Sequence, residues 1–129
     1  MSLKPIMNTA GRLGHSVGST ITGGIFVPVS APSATVLAGG SQVYRGPLAF
    51  NFTGGSGPGF VPGSVLSIPG NTIPPTATSV LVDGLSPMRA GDKLDSMFCT
   101  GTLASGGGIG TIEGPVEVVD AGQSKVSAQ

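Results

Sequence analysis

Short runs of aliphatic residues recur along the whole chain, and glycine or proline ends each run within a few positions. Examples are residues 25–27, 65–68, 80–82 and 116–119. Glycine and proline at this spacing leave no room for a helix of ordinary length. Brief runs rich in valine and isoleucine, bounded by turn residues, are typical of strands. The pattern therefore predicts an all-β fold of short strands and Gly/Pro-rich turns, with no significant helix.

Composition sharpens this picture. The 129 residues include 23 Gly and 11 Pro, a content at which disorder must be considered. Disordered chains usually carry high net charge, whereas only 9% of these residues are charged and the net charge is zero. We therefore expect one folded domain spanning residues 1–129. Within it we distinguish an N-terminal arm (1–8), a Gly/Pro-rich segment (48–73) and a C-terminal tail (120–129).

The low charge also restricts the partners. Binding to nucleic acid needs clustered Lys and Arg, and the six basic residues form no such cluster, so we expect no nucleic-acid partner. No apolar stretch approaches the roughly 20 residues of a membrane-spanning helix, and the N-terminus lacks the apolar run of a signal peptide. The single cysteine excludes an internal disulfide, which fits synthesis in a reducing cytoplasm.

The most informative stretch is residues 79–96. Three aliphatic residues precede Asp83-Gly84, a dipeptide that strongly favours a tight hairpin turn. Pro87 then opens a second extended piece, which leads into a charged segment. This segment contains Arg89, Asp92, Lys93 and Asp95.

Parts of this stretch recur elsewhere. Residues 34–45 align without gaps to residues 78–89, so that Gly40 matches Gly84 and Arg45 matches Arg89, 44 positions apart. The following glycine shifts by one, from Gly46 to Gly91. A third copy of the arginine element is found at residues 11–15, with Arg12 and Gly14. The alternative is chance similarity between glycine-rich β segments.

The repeated stretch resembles a known family, the proline-alanine-alanine-arginine repeat (PAAR) proteins. Residues 79–92 read S-V-L-V-D-G-L-S-P-M-R-A-G-D. They are similar to the family pattern S-x-x-V-x-(I/V)-(N/D)-G-x-P-A-A-R-x-G-D, with Pro87 displaced by one position. Residues 10–15 resemble the family's opening copy. The resemblance covers about two thirds of the chain, whereas residues 48–73 are unlike the family and are interpreted as an insert.

The resemblance implies a small cone of short β-hairpins with pseudo-threefold repeats. It also implies a function as a structural tip protein. One copy would cap a trimeric β-helical spike in a contractile injection machine, a phage tail or a type VI secretion system. The tip would sharpen the spike and contact the target cell envelope transiently, so the site of action would be the tip of the virion tail or secretion particle. The alternative is another β-rich virion protein, for decoration or adhesion.

Many family members are expected to bind one zinc or iron ion through three histidines and one cysteine. This chain has one of each, and His15 stands where the Asp of the Gly-Asp corner would be. Ser19 occupies the position of the ligand histidine. An ion here would need His15, Cys99 and an oxygen donor such as Asp95. We expect instead a buried thiol and a surface imidazole, without a cofactor.

The remaining polar residues do not indicate an enzyme. We interpret Arg12, Arg45 and Arg89 as structural staples or partner contacts. Asp92 and Asp95 form a carboxylate pair of the kind that glycosidases use, but the chain has no Trp and one Tyr to stack on a sugar. One Cys and one His in 129 residues do not make a nucleophile and base. No catalytic residue is predicted.

Overall fold

The computed structural model describes residues 3–129, and within that range it contains no helix. The predicted all-β fold class is confirmed. Residues 3–129 form eleven strands, most of them short, which are connected by turns and longer irregular segments. They are β1 (Lys4–Pro5), β2 (Arg12–His15), β3 (Thr22–Pro28), β4 (Leu37–Ala38), β5 (Ser41–Gln42), β6 (Leu48–Ser56), β7 (Leu66–Ser67), β8 (Thr72–Ile73), β9 (Lys93–Thr102), β10 (Ile109–Asp120) and β11 (Ser127–Ala128).

The strands form two larger antiparallel sheets and two small pairs. One sheet has the order β2-β10-β9-β7, and the other has the order β3-β6-β8. The pairs are β1-β11 and β4-β5. The sheets meet along two lines: β2 contacts β3 at one, and at the other β7 contacts β6 and β8 contacts β9. The strands therefore enclose the core in the order β2, β10, β9, β6 and β3, with β7 and β8 both lying between β9 and β6.

The core lies between the two sheets and follows the two-residue period of the strands. In β9, Met97 and Cys99 face inwards, whereas the intervening Phe98 is exposed. Phe52 of β6 is fully buried near the centre. Glycines lie against its ring: a Cβ at Gly24, where φ is +77°, would come within 2.6 Å of it. A larger residue at position 24 would therefore displace the ring.

The three segments that the sequence set apart belong to the folded body in the part of the chain that the structure describes, from residue 3 onwards. Residues 48–73, interpreted as an insert, contain β6, whose two neighbours are β3 and β8. They also place Phe50, Phe52 and Ile73 in the core. The arm and the tail are paired with each other, since β1 lies antiparallel to β11. The segment 48–73 is thus a structural component and not an appendage.

The turn predicted at Asp83-Gly84 is confirmed. Val82 and Leu85 exchange backbone hydrogen bonds of 2.7 and 3.0 Å across it. Both central residues have positive φ, +51° for Asp83 and +81° for Gly84. This geometry matches the two-residue turn that suits the twist of a hairpin, and it is the reason for Asp-Gly at these positions.

Phe52 and Phe98 provide a matched test of the core. We expect Phe52→Ala to lower the free energy of unfolding by about 3–5 kcal/mol, because it leaves a cavity between two sheets that cannot close over it. Phe98→Ala removes the same atoms from a half-exposed position and should cost clearly less. Denaturant unfolding of both variants measures the difference. Equal losses would contradict the assigned core.

Candidate functional site

Three short segments meet in a closed ring of backbone hydrogen bonds. The Met7 N–H donates to the Met88 carbonyl at 2.8 Å, and the Met88 N–H donates to the Tyr44 carbonyl at 3.1 Å. The Tyr44 N–H completes the cycle by donating to the Met7 carbonyl at 3.0 Å. We call residues 6–8, 43–45 and 87–89 the three-segment ring. Bridges join every pair of segments, namely Ile6 with Arg89, Asn8 with Val43, and Arg45 with Pro87.

A hairpin leads into each segment of this ring. The second hairpin, β4-β5, turns at Gly39-Gly40, and the third turns at Asp83-Gly84. The first is the pair β1-β11, which has no connecting turn. The paired positions nearest the three tips are Lys4 with Ala128, Ser41 with Ala38, and Leu85 with Val82. The residues from 34 to 45 and from 78 to 89 are therefore structural repeats, and the chain ends supply the third copy.

Side chains at one repeated position tie each segment to the next hairpin. The Asn8 amide donates to the Ala38 carbonyl at 2.9 Å. The Arg45 guanidinium donates to the Asp83 carboxylate at 3.2 Å. Arg89 donates to the Ala128 carbonyl at 3.0 Å. The three bonds run in the same sense around the ring, so each hairpin tip is held by the preceding segment.

The structure brings Arg45 and Arg89 together in this ring but not Arg12. Arg12 lies on the surface of β2 and pairs with Asp120 at 3.2 Å. Asn8 holds the third position instead. The one trace of this equivalence in the sequence is the match of Ile6-Met7-Asn8 to Pro87-Met88-Arg89, in which only the methionine is shared. This segment contains neither the arginine nor the glycine that marks the other copies.

The predicted glycines fall into two groups. Gly40, Gly84 and Gly91 have positive φ at turns, and the Gly91 N–H donates to the Val118 carbonyl at 2.9 Å. Gly14 and Gly46 are positions of close approach. A Cβ at Gly14 would lie 2.9 Å from the Val119 side chain, and a Cβ at Gly46 would overlap the Pro75 ring. Gly14 lies in β2, outside the ring.

Arg89 and Asp92 are both buried, with 7% and 2% of their surface exposed. Their charged groups are joined through the Thr76 hydroxyl, which accepts from the Arg89 guanidinium at 2.6 Å and donates to the Asp92 carboxylate. The other carboxylate oxygen accepts the Arg89 backbone N–H at 2.9 Å. Such a pair is tolerable in the interior only while each member remains bonded. Thr76 was not predicted from the sequence.

The candidate metal ligands lie apart in the fold. Asp95 is exposed on β9, 3.9 Å from the Lys93 ammonium. Cys99 faces the core, where burial raises its pKa from 9.0 to about 11. His15 is half-buried rather than on the surface; its Nε2 lies 2.7 Å from the Gly23 carbonyl. Across residues 3–129 no three His, Cys, Asp or Glu side chains come together as a metal-binding group.

The three hairpins carry exposed aliphatic side chains. Leu37 and Leu81, at the same position of the second and third hairpins, are 59% and 68% exposed, and Leu3, next to β1, is 63% exposed. Charges on the hairpins are few, and the Arg45–Asp83 pair neutralises two of them. Exposed aliphatic residues that are grouped on neighbouring elements are typical of an interaction site. We call it the hairpin face, and its exposed apolar residues are Leu3, Leu37, Val80, Leu81, Leu85 and Val126.

Comparison with family models, with curated proteins and with solved structures found no match to this chain. Residues 3–129 include no helix that could cross a membrane. Interpretation of the hairpin face therefore depends on its geometry.

Arg89 and Arg12 allow the ring to be tested with one kind of substitution. We expect Arg89→Met to destabilise the fold by about 3–5 kcal/mol, since it removes the buried positive charge that is joined to the Asp92 carboxylate through Thr76, and leaves the Ala128 carbonyl without its donor. Arg12→Met, at the surface, should change stability little. Thermal and denaturant unfolding of the two variants measure this. A neutral Arg89→Met would show that the buried network contributes nothing.

The Cys99 thiol should be unreactive in the folded protein. Burial and a pKa of about 11 leave little thiolate at pH 8, so an aromatic disulfide reagent should modify Cys99 only after unfolding. Because the folded pKa lies above the unfolded value of 9.0, the contribution of Cys99 to stability is complete below pH 9 and is lost as the pH rises towards 11. Comparison with Cys99→Ala isolates this loss from other groups. Rapid labelling of the native protein would contradict the assignment.

Proposed function

We propose that this protein is a structural tip that caps the end of a trimeric β-helical spike, one copy per trimer, in a contractile injection machine. The observation that carries the proposal is the three-segment ring, in which one chain repeats the same hydrogen bond three times around an axis. A monomer with an approximate threefold axis is matched in symmetry to the end of a three-chain shaft. The resemblance of residues 79–92 to PAAR repeats supports the same function.

The end of a trimeric β-helical shaft must be covered by another protein or segment. Its terminal strands leave unpaired backbone groups and apolar surface, which invite aggregation unless they are covered. The hairpin face offers three similar elements around the axis, each with an exposed leucine. One small chain can therefore cover three equivalent edges at once. The few charges on the hairpins suit a contact that is buried on assembly.

The opposite end of the molecule would face the target envelope. The β9–β10 connection at residues 103–108 lies there, because these strands run away from the ring and back. Strands that are closed around a packed core resist deformation better than an extended loop, which is the mechanical requirement for a penetrating tip. The proposed role requires no catalytic residue and no cofactor. We propose transient contact with the envelope and no nucleic-acid partner.

Stoichiometry tests the proposal directly. Coexpression with the trimeric spike of the same particle, followed by native mass spectrometry, should give one chain per three spike chains. Imaging of intact particles should place the protein at the spike end. Many copies distributed over a shell or tube would contradict the proposal and favour a decoration protein.

Leu81 and Ile109 provide a matched pair for the contact. Leu81 lies on the hairpin face, and Ile109, 73% exposed, lies at the far end of the molecule. We expect Leu81→Asp to weaken spike binding at least about 10- to 100-fold, because burial of one leucine contributes about 1.5–3 kcal/mol and a buried carboxylate adds a penalty. Ile109→Asp should bind like the unmodified protein. Isothermal titration measures both, and the reverse order would place the contact at the other end.

A further inference from the structure

We infer that the first hairpin, the pair β1-β11, is a docking hairpin like the other two with its turn left open, and that the spike recognises the arms of the three hairpins interchangeably. The inference on docking rests on the proposed function. The inference on the fold stands independently, on hydrogen-bond register. A partner that recognises this surface would present three chemically equivalent apolar edges.

We call the strand of each hairpin that leads into the ring its inner arm, and the opposite strand its outer arm. The first argument is the hydrogen-bond register of the inner arms. In every hairpin the paired residue nearest the tip precedes its ring residue by three positions: Lys4 precedes Met7, and Ser41 precedes Tyr44. Leu85 precedes Met88 in the same way. The spacing is identical although one of the hairpins is formed by the two ends of the chain. The inner arms therefore meet the ring in the same way.

The outer arms agree as well. The Ile6 N–H donates to the Val126 carbonyl at 3.0 Å, and the Val43 N–H donates to the Val36 carbonyl at 3.1 Å. Val126 and Val36 each lie two positions before the paired alanine of their hairpin. The first and second hairpins thus repeat the same backbone contact on both arms.

The outer arms of the first and second hairpins are also similar at the end away from the tip, where one side-chain oxygen accepts two backbone N–H groups. The Ser33 hydroxyl accepts the backbone N–H groups of Val36 and Thr35 at 3.1 and 3.3 Å. The Gln123 side-chain oxygen accepts those of Val126 and Lys125 at 2.8 and 2.7 Å. Ser33 and Gln123 both stand three positions before the valine of their hairpin. Different side chains therefore satisfy the same two donors.

The equivalence predicts how the open tip could be closed. Two residues, Gly39 and Gly40, connect Ala38 to Ser41, so two residues should also connect Ala128 to Lys4. In the present chain Gln129 and Leu3 stand at those two places and are not joined to each other. The first hairpin has no turn to offer a partner. A spike that engages all three hairpins must therefore contact their arms, and any polypeptide joined at either end would emerge at this tip.

Circular permutation tests both parts. One permutant joins residues 4 and 128 through Asn-Gly and begins at Gly40 and ends at Gly39, which moves the open tip from the first hairpin to the second. A control permutant has the same junction but opens between Gly106 and Gly107, in the β9–β10 connection at the far end. We expect both to keep the circular dichroism spectrum of the original chain and melting temperatures within about 5 °C of it, since no core residue is changed. The junction replaces Leu3 by glycine, so the reference for binding is the Leu3→Gly variant of the original chain, and both permutants should bind the spike within about threefold of the affinity of that variant.

Each failure has a separate meaning. If neither permutant folds, β1-β11 is not equivalent to a closed hairpin. If only the permutant opened at Gly39-Gly40 fails to fold, the second hairpin cannot replace the first, and the equivalence is also wrong. If that permutant folds but loses spike binding more than about tenfold while the original chain and the control bind, the hairpins are not interchangeable in docking. Absence of binding by the original chain contradicts the proposed function, and the folding comparison then still decides the equivalence.

Discussion

The cyclic set of hydrogen bonds among Met7, Tyr44 and Met88 is the constraint on which the rest of the structure depends. Each segment uses its single donor and acceptor at this point to contact both of the others. No two segments can hold the arrangement without the third. Since the first segment lies near the N-terminus and the others lie about one third and two thirds along the chain, the ring fixes the long-range topology with three backbone hydrogen bonds.

The ring also explains the distribution of polar groups. A closed centre leaves little room for water, so side chains at the repeated position must satisfy the carbonyls or carboxylates that remain at the hairpin tips. Asn8, Arg45 and Arg89 do so in turn. Arg89 is more buried than Arg45, and the Thr76 hydroxyl joins its guanidinium to the Asp92 carboxylate. The network is costly to bury but specific in geometry, which selects one arrangement of the segments.

The proposed function rests on symmetry more than on any single chemical group. A chain with three similar hairpins around an axis can meet three copies of a partner at once. The polar residues of the ring act within the molecule, and Leu3, Leu37 and Leu81 face outwards. This division between inward polar and outward apolar groups is what the proposed capping role requires.

Much of this could be predicted from the sequence. Glycine and proline spacing determined the all-β class, Asp83-Gly84 determined a hairpin turn, and the 44-residue offset related Arg45 to Arg89. These are local signals, carried by backbone preferences of a few adjacent residues. Only the tertiary structure decided that Asn8 replaces Arg12 in the ring, that residues 48–73 contribute to the core, and that the two ends of the chain pair as the first hairpin. Those facts depend on contacts between residues far apart in the chain, and neither a turn preference nor a local repeat encodes which distant segments will meet.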